Sequence, residues 1–331
     1  MRVAVLRHFG KPLEIGTRKV PVPGAGEVLV RTVACGICRT DLHISDGLGY
    51  RPKLPHILGH EPAGQVEAIG SGVTGIAIGS RVATYLFDSC DTCEACHAGD
   101  TAQCEEVLGI LGINRDGGFA EYFVAPAKNL VPVPDGMDIS IAGLVSCAAV
   151  TAVRALARAN LRPWQRVAVI GAGGVGILII QLLVAQGHGV DAFDRSPQGR
   201  HASLDAGAKA TFDPSESHPP ASYDRIFDLV GTQATTGLAS RLLRRQGRLV
   251  IVGEEPGNLG IDTITIAQRE IEIVGTRNGG RVDAWRAMDL LAAGTLRPAI
   301  GARFPLDRIN EAFALMRGNQ VHGRVLVEFP T

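Results

Sequence analysis

The sequence lacks an excess of charge of either sign. Its 331 residues include 33 lysines and arginines and 33 aspartates and glutamates, and no polybasic run occurs among them. Proteins that bind nucleic acid or an anionic membrane surface usually carry a basic patch. The charge balance therefore argues against a nucleic-acid partner and against a membrane-surface partner.

Long hydrophobic runs are also missing. The longest, residues 167–180, has 14 residues and is interrupted by glycines, whereas a helix needs about 20 apolar residues to cross a bilayer. Arg7 and His8 interrupt the apolar start of the chain, so we expect no signal peptide. Neither an internal repeat nor a low-complexity linker is present. We expect a cytoplasmic protein of roughly two domains, since a typical domain has about 150 residues.

The cysteines are few and odd in number. Seven thiols cannot all pair within one chain, and in a reducing compartment cysteines favour metal binding or catalysis over disulfides. Four thiols on a polar, turn-forming stretch follow a C-x2-C-x2-C-x7-C pattern: Cys90, Cys93, Cys96 and Cys104. Structural zinc takes four thiolates in a tetrahedron, so this spacing predicts a zinc lobe. Buried, unligated thiols are the alternative, but this stretch offers no apolar pocket for them.

Three further residues indicate a second metal site. They are Cys38, His60 within Gly59–Glu61, and Cys147. Two thiolates and one imidazole leave a fourth zinc position open, which is typical of a catalytic zinc. Each residue alone is weak support, because a lone cysteine is usually a small buried hydrophobe. A redox role for the C-x2-C pair of Cys35 and Cys38 is a less supported alternative.

A glycine-rich segment predicts a dinucleotide-binding loop. The β-branched run 167–170 precedes it and an apolar helical pattern, residues 177–185, follows it. This context supports a G-x-G-x-x-G fingerprint, whose glycines allow a tight turn, close approach of a pyrophosphate and helix packing. A carboxylate at the end of the next strand could accept ribose hydroxyls. A glycine-rich turn in another α/β domain is the alternative. The candidate cofactor residues are Gly171, Gly173, Gly174, Val175, Gly176 and Asp194.

The pattern of predicted elements changes near residue 147. Before it, short strand-like runs separated by Gly and Pro predict a compact strand-rich domain, with strands at 27–33, 63–69, 81–85 and 119–124. After it, strands alternate with helices such as 232–243, which predicts a parallel sheet with right-handed crossovers. The predicted strands there are 189–193, 210–212, 225–229, 248–252 and 271–274. Helices at 283–293 and 307–317 and a strand at 324–329 complete the chain.

Taken together in this order, the motifs resemble those of zinc-containing alcohol dehydrogenases of the medium-chain dehydrogenase/reductase family. They are Gly36–His43, Gly59–Glu61, the four-cysteine lobe, Cys147 and the dinucleotide fingerprint, and the likeness covers essentially the full length. It implies an α/β protein with a GroES-like, β-rich catalytic domain formed by residues 1–147 and 276–331. Residues 148–275 would form a Rossmann domain with a doubly wound parallel sheet. The resemblance also implies a homodimer or a homotetramer.

The resemblance assigns metal roles by position. Cys38, His60 and Cys147 would bind the catalytic zinc, and Glu61 would sit beside the metal as an occasional or indirect ligand. Asp41 would orient the zinc-binding histidine through a hydrogen bond. A cap at the start of a helix is the simpler role for Asp41, and the two roles are compatible.

The resemblance also assigns roles in proton transfer and cofactor binding. Thr40 would contact the alcohol, and His43, three residues later, would pass its proton to solvent. Arg39 and Arg324 would hold cofactor phosphates, although both could equally be solvated surface charges. These roles imply hydride transfer between an alcohol and NAD(P), with an aldehyde or ketone as the product. The resemblance also implies two zinc ions per chain.

The residue pair 194–195 bears on cofactor choice. Asp194 would repel a ribose 2′-phosphate and so favours NAD(H) over NADP(H), whereas Arg195 beside it could pair with a phosphate. The alternatives are an NADPH-preferring aldehyde or ketone reductase and a catalytically silent zinc-binding protein of the same fold. A zinc-free reductase of quinones or enones is a further alternative, which the three predicted zinc ligands disfavour.

The expected substrate is a small alcohol, aldehyde or ketone. By position, the walls of its pocket would come from Leu48, Gly49, Tyr50, Tyr85 and Leu86. Bacterial members of the family often carry tryptophan at the positions of Gly49 and Tyr85. The smaller residues here predict a roomier pocket that admits larger alcohols.

Overall fold

The computed structural model describes residues 1–255 and 257–330. Within them the strands are β1 (Arg2–Val5), β2 (Glu14–Thr17), β3 (Glu27–Ile37), β4 (Glu61–Ile69), β5 (Arg81–Thr84), β6 (Phe87–Asp88), β7 (Gly109–Ile110), β8 (Tyr122–Pro126), β9 (Leu130–Pro132), β10 (Val167–Ile170), β11 (Val190–Phe193), β12 (Ala210–Phe212), β13 (Tyr223–Asp228), β14 (Leu243–Ile251), β15 (Glu272–Gly275), β16 (Ile300–Pro305) and β17 (Arg324–Glu328).

The helices of the same residues are mostly short. They are α1 (Arg39–Ser45), α2 (Glu94–His97), α3 (Ile139–Ala142), α4 (Ala148–Ala159), α5 (Gly176–Ala185), α6 (Pro197–Asp205), α7 (Gln233–Leu242), α8 (Thr263–Arg269), α9 (Arg281–Ala292) and α10 (Ile309–Arg317). Single 3-10 turns lie at Thr101–Gln103, Ala127–Asn129, Gly143–Ser146 and Leu306–Arg308.

The chain divides into two compact units. The first contains Met1–Val150, Gly280–Ala292 and the described residues from Pro298 onward, and the second contains Thr151–Gly279 and Ala293–Arg297. The second unit is therefore an insertion in the sequence of the first.

A parallel six-stranded sheet forms the second unit. Its strand order is β12-β11-β10-β13-β14-β15, so the order reverses between β10 and β13. The central strand β10 is buried along its whole length, as expected for an apolar strand covered on both faces. Ile226 and Leu249 of the sheet pack with Leu238 of α7 in one apolar cluster. In a doubly wound sheet the ligand crevice lies where the strand order reverses, which here is the end of β10.

A mainly antiparallel sheet forms the first unit. Six strands follow the order β16-β17-β3-β4-β5-β9, and β8 also pairs with β3. The long strand β3 pairs antiparallel with β17, β4 and β8. β8 pairs with the N-terminal part of β3 and β17 with its C-terminal part, although both strands are distant from β3 in the sequence. Residues of β4 and β17 therefore come together beside the C-terminal end of β3.

The predicted combination of a β-rich domain with a doubly wound parallel sheet is confirmed. Several boundaries differ, as where β3 extends to Ile37 and β14 begins at Leu243. The predicted strand 119–124 joins the sheet only at Tyr122, which pairs with Arg31. Phe119 instead exchanges backbone hydrogen bonds with Ala4 and Leu58, so its backbone groups are used by other segments.

In the described residues, no helix by itself combines the length and the apolar composition that a bilayer crossing requires. By those two measures alone, the bent pair Ile139–Ser146 and Ala148–Ala159 would pass as a broken span.

Candidate functional site

In the first unit the structure brings Cys38, His60, Glu61 and Cys147 together. One ligand atom from each residue lies within 4.8 Å of the others. Cys38 directly follows β3 and His60 directly precedes β4, and the antiparallel pairing of these strands puts the two residues side by side. Cys147 follows the 3-10 turn Gly143–Ser146. Residues that are far apart in sequence thus form one cluster of possible metal ligands.

The sulfur spacing in this cluster fits a zinc ion. Cys38 Sγ and Cys147 Sγ are 3.9 Å apart, and zinc–sulfur bonds of about 2.3 Å at tetrahedral angles separate two thiolates by about 3.8 Å. Hydrogen bonding with Cys147 lowers the pKa of Cys38 well below its ordinary value, although burial opposes the shift. The same contact raises the pKa of Cys147. The pair therefore stabilises a thiolate, which is the form that binds metal.

Asp41 makes the contacts of both roles proposed for it. Its Oδ2 accepts a hydrogen bond from the Cys38 amide at 2.8 Å and so caps the start of α1. Its Oδ1 lies 3.2 Å from His60 Nδ1. Burial disfavours the charged imidazole, yet the Asp41 carboxylate raises the pKa of His60 well above its ordinary value. Because Asp41 holds Nδ1, the Nε2 atom of His60 is the nitrogen left for a metal.

Glu61 and Arg324 form a buried ion pair beside the cluster. The Glu61 side chain is fully buried and that of Arg324 is 8% exposed, and both carboxylate oxygens accept hydrogen bonds from Arg324 Nη2. Burial raises the pKa of Glu61, and the guanidinium opposes this shift. Arg324 is thus not a solvated surface charge, and its observed partner is a carboxylate. Its contact with a cofactor phosphate stays a prediction.

Helix α1 carries the residues predicted to move the proton and to hold a phosphate. The Thr40 hydroxyl lies 3.7 Å from Cys38 Sγ, so it borders the metal cluster. His43 is half-buried, and its spacing of three from Thr40 puts both on one helix face. Arg39 is exposed, and its Nη2 donates a hydrogen bond to Asn319 Oδ1 at 2.8 Å. Thr40 is the member of this set whose contact with the cluster is direct.

The residues predicted to line the substrate pocket divide into two groups. Leu48 and Gly49 are exposed and Tyr50 is half-buried, whereas Tyr85 and Leu86 are buried. The Tyr85 hydroxyl accepts a hydrogen bond from Thr101 Oγ1 at 3.0 Å. The hydroxyl of Tyr85 is therefore directed at Thr101, and the role of these five residues as walls of a substrate pocket stays a prediction.

Cys90, Cys93, Cys96 and Cys104 form the second cluster. Their sulfurs lie within 4.8 Å of one another, with Cys90 Sγ 3.5 Å from Cys104 Sγ and 4.0 Å from Cys96 Sγ. These separations bracket the value of about 3.8 Å that tetrahedral zinc requires. Hydrogen bonds from Thr92 lower the pKa of Cys90 to about 6. Four protein sulfurs fill a tetrahedron, so the donor set fits a structural ion with no open position.

In the second unit, the glycine-rich loop follows β10. Gly171 has a φ of +95°, and a Cβ on Gly176 would overlap the Gly171 carbonyl, so this turn and this packing both need glycine. By contrast, no atom lies within 4 Å of a Cβ built on Gly173. The backbone at Gly173 is thus open to an incoming group, and the residues present fit the pyrophosphate of a dinucleotide. Gly174 and Val175 complete the loop before α5.

Asp194 follows β11 and contacts the loop directly. Its Oδ2 accepts a hydrogen bond from the Ala172 amide at 2.7 Å, and its Oδ1 accepts one from the Ser196 amide at 2.8 Å. A carboxylate oxygen has two lone pairs, so each oxygen can still accept a ribose hydroxyl. Arg195 is exposed. Asp194 therefore supports the loop through Ala172, and its contact with a ribose stays a prediction.

Asp228 was not among the predicted site residues. It is fully buried at the end of β13, and its Oδ1 accepts hydrogen bonds from the amides of Val230 and Gly231. Among the described residues its Oδ2 has no partner. It holds the turn that follows β13, next to the point where the strand order reverses. The signal for it was an aspartate within the predicted strand 225–229, three residues before a glycine.

Known proteins match both parts of the chain. Residues 24–135 match the model of the alcohol dehydrogenase GroES-like domain, and residues 198–327 match the model of zinc-binding dehydrogenases. An alcohol dehydrogenase of Geobacillus stearothermophilus is 34% identical, and the alignment covers 99% of both chains. An NAD-dependent alcohol dehydrogenase of Sulfolobus acidocaldarius is 31% identical, with 99% of both covered.

A solved structure gives the same relationship. The cobalt- and zinc-bound thermostable alcohol dehydrogenase from Pyrobaculum aerophilum superposes with a TM-score of 0.93 at 34% identity, and the match covers 99% of each chain. Identity above 30% extends along nearly the whole sequence, and the motif order agrees with the resemblance stated from the sequence. The chain therefore belongs to the zinc-containing alcohol dehydrogenases of the medium-chain dehydrogenase/reductase family.

Proposed function

We propose that the protein is a zinc-dependent oxidoreductase that interconverts alcohols with aldehydes or ketones and uses NAD(H) as the hydride carrier. The observation that carries this proposal is the cluster of Cys38, His60 and Cys147, whose spacing and donor types suit a zinc ion with one open position. When bound, zinc acts as a Lewis acid toward the alcohol oxygen and NAD accepts a hydride.

The chain's own residues would prepare this site. Asp41 orients His60 so that its Nε2 faces the cluster, and the buried Arg324 balances the charge of Glu61. The Thr40 hydroxyl, beside Cys38 Sγ, would accept a hydrogen bond from the alcohol and pass the proton on. His43, on the same face of α1, would take the proton up and release it to solvent.

The proton path can be tested at His43. We expect His43→Gln to slow alcohol oxidation by ~10-fold, because glutamine cannot take up a proton and solvent substitutes only in part. Steady-state rates should partly recover when imidazole buffer is added. The control is His201→Gln, which changes an exposed histidine of α6 and should leave the rate unaltered. A His43→Gln pH profile that overlays the parent's, with no buffer effect, would exclude the relay.

A preference for NAD over NADP is proposed from Asp194. Its carboxylate ends β11 and would accept ribose hydroxyls and repel a 2′-phosphate. The name of one relative supports this choice, because the Sulfolobus acidocaldarius enzyme is an NAD-dependent alcohol dehydrogenase. The exposed Arg195 is the residue that would weaken the preference.

Asp194→Ser is expected to lower the ratio of kcat/KM for NAD over NADP by at least about tenfold, equivalent to roughly 1.4 kcal/mol. The physical reason is loss of repulsion toward a 2′-phosphate that Arg195 can then meet. The double variant Asp194→Ser/Arg195→Ala should lose most of the gain for NADP. Since Asp194 also supports the Ala172 amide, kcat/KM for NAD should fall as well. An unchanged ratio would assign the discrimination to another residue.

We also propose a metal content, domain limits, a pocket size and an oligomeric state for the protein. The four-cysteine lobe would hold a second, structural zinc. Residues 1–147 with 276–331 would form the catalytic domain, and residues 148–275, inserted in its sequence, would form the cofactor domain. A roomy pocket for larger alcohols is proposed from the small residue Gly49 and from Tyr85, at positions where bacterial members of the family often carry tryptophan. A homodimer or homotetramer is proposed from family membership, and light scattering of the purified protein would decide between them.

One assay series tests the proposed function. Freshly purified protein should contain two zinc ions by elemental analysis, and it should form NADH from a panel of primary, secondary and benzylic alcohols. A protein that contains zinc but forms no NADH with any alcohol, and oxidises no NADH with aldehydes or ketones, would be a silent zinc-binding protein. Activity in a zinc-free protein would refute the metal assignment.

A further inference from the structure

Four residues surround the start of the cysteine lobe and form what we call the Asp91 cluster: Ser89, Asp91, Lys128 and Arg281. Asp91 Oδ1 accepts hydrogen bonds from Ser89 Oγ at 2.7 Å and from Arg281 Nη2 at 2.9 Å, and its Oδ2 accepts one from Lys128 Nζ at 2.8 Å. Arg281 Nη2 also donates to Ser89 Oγ at 2.9 Å. The Asp91 carboxylate is therefore held by two cations and a hydroxyl.

The backbone at Asp91 explains why this carboxylate matters for the lobe. Asp91 has a φ of +61°, a left-handed conformation that aspartate and asparagine tolerate better than most residues. The turn it makes directs the amides of Thr92 and Cys93 toward Cys90 Sγ, at 3.5 and 3.4 Å. Contacts that hold Asp91 therefore also hold the turn that presents Cys90.

Arg281 reaches the far end of the lobe as well. Its backbone amide donates a hydrogen bond to Thr101 Oγ1 at 3.0 Å. The preceding Gly280 packs so closely on Gly99 that a Cβ there would overlap the Gly99 carbonyl. Thr101 lies three residues before Cys104, the last cysteine of the lobe. The first turn of α9 thus touches both ends of the lobe, through a side chain at one end and through the backbone at the other.

We propose that Arg281 is a positioning residue that keeps the cysteine lobe closed and so slows the release of its metal ion. A chelate of four thiolates loses its ion only when the loop opens far enough to free more than one sulfur. Removing the guanidinium takes away the hydrogen bonds that Arg281 donates to Asp91 and to Ser89 Oγ, so Lys128 is left as the only cation on Asp91 among the residues of the cluster, while the backbone contact to Thr101 remains. The start of the lobe should then open more often. The inference rests on the proposed zinc occupancy of the lobe.

Zinc release tests the proposal without reference to turnover. The zinc-loaded protein is mixed with excess chromogenic chelator at a temperature well below its unfolding transition, and the release phases are recorded. The phase that is missing in Cys104→Ser identifies the lobe. We expect Arg281→Met to speed this phase by ~10-fold and leave the other phase unaltered. Arg281→Lys, which keeps the charge but not the paired donors, should give an intermediate rate.

The matched control is Arg286→Met. Arg286 is an exposed arginine on the same helix, and its replacement should leave both phases at the parent's rates. Equal lobe phases in the parent and in both Arg281 variants would overturn the proposal. If the parent shows no lobe phase and Cys104→Ser contains as much zinc as the parent, the zinc assignment itself fails. If Arg281→Met does not fold, the rate of Arg281→Lys against the parent decides.

Discussion

We expect Cys38→Ser to lower the rate of alcohol-dependent NADH formation by at least about 100-fold. The variant should stay folded. Loss of a residue that only supports a metal ligand costs up to about 100-fold, and here a proposed ligand itself is lost. Cys147→Ser should behave in the same way, since its Sγ lies 3.9 Å from Cys38 Sγ. Each variant should contain one zinc ion fewer by elemental analysis, with an unchanged circular dichroism spectrum.

The control for this prediction is Cys35→Ala. Cys35 is a buried thiol that lies near the same strand end but outside both metal clusters. Its replacement should leave two zinc ions and a turnover close to the parent's. If Cys38→Ser kept both zinc ions and most of its turnover, the assignment of the catalytic metal to this cluster would be wrong.

Arg324→Met should lower the free energy of unfolding by about 3–5 kcal/mol. Arg324 is the buried partner of the fully buried Glu61, and removing one partner leaves an uncompensated charge in the interior. The double variant Glu61→Gln/Arg324→Met should recover most of this loss, because a neutral pair needs no counter-charge. Urea unfolding monitored by circular dichroism gives the three values.

An exposed ion pair on the neighbouring strands provides the control. Arg303 of β16 pairs with Glu328 of β17, and both side chains are 39% exposed. Arg303→Met should cost no more than about 1 kcal/mol, because water screens such a pair. Similar losses of unfolding free energy in Arg324→Met and Arg303→Met would show that burial does not increase the contribution of the Glu61–Arg324 pair.

Short-range patterns explain why much of the site could be predicted from the sequence. Cys90 to Cys104 span one loop, so spacing alone indicates that they meet. The glycine loop likewise sits between one strand and one helix, and its turn needs glycine for local reasons. Cys38, His60 and Cys147 were named from the order of motifs, since nothing local brings a cysteine at 147 to one at 38.

Long-range pairings could not be predicted in this way. Arg324 was predicted to hold a cofactor phosphate, with a solvated surface charge as the alternative, and only the pairing of β17 with β3 puts it against Glu61, 263 positions away. Arg281 reaches Asp91 across 190 positions. The hydrogen bond between the Tyr85 hydroxyl and Thr101 Oγ1 is likewise a contact that the sequence did not indicate.

The late position of Arg324 in the chain affects how the protein matures during synthesis. Translation adds about 5–20 residues per second, so Glu61 emerges roughly 13–50 s before the guanidinium that balances it. Throughout that interval β3 also lacks its neighbour β17 and exposes an unpaired edge. The first unit can therefore complete this sheet and neutralise Glu61 only after β17 has left the ribosome.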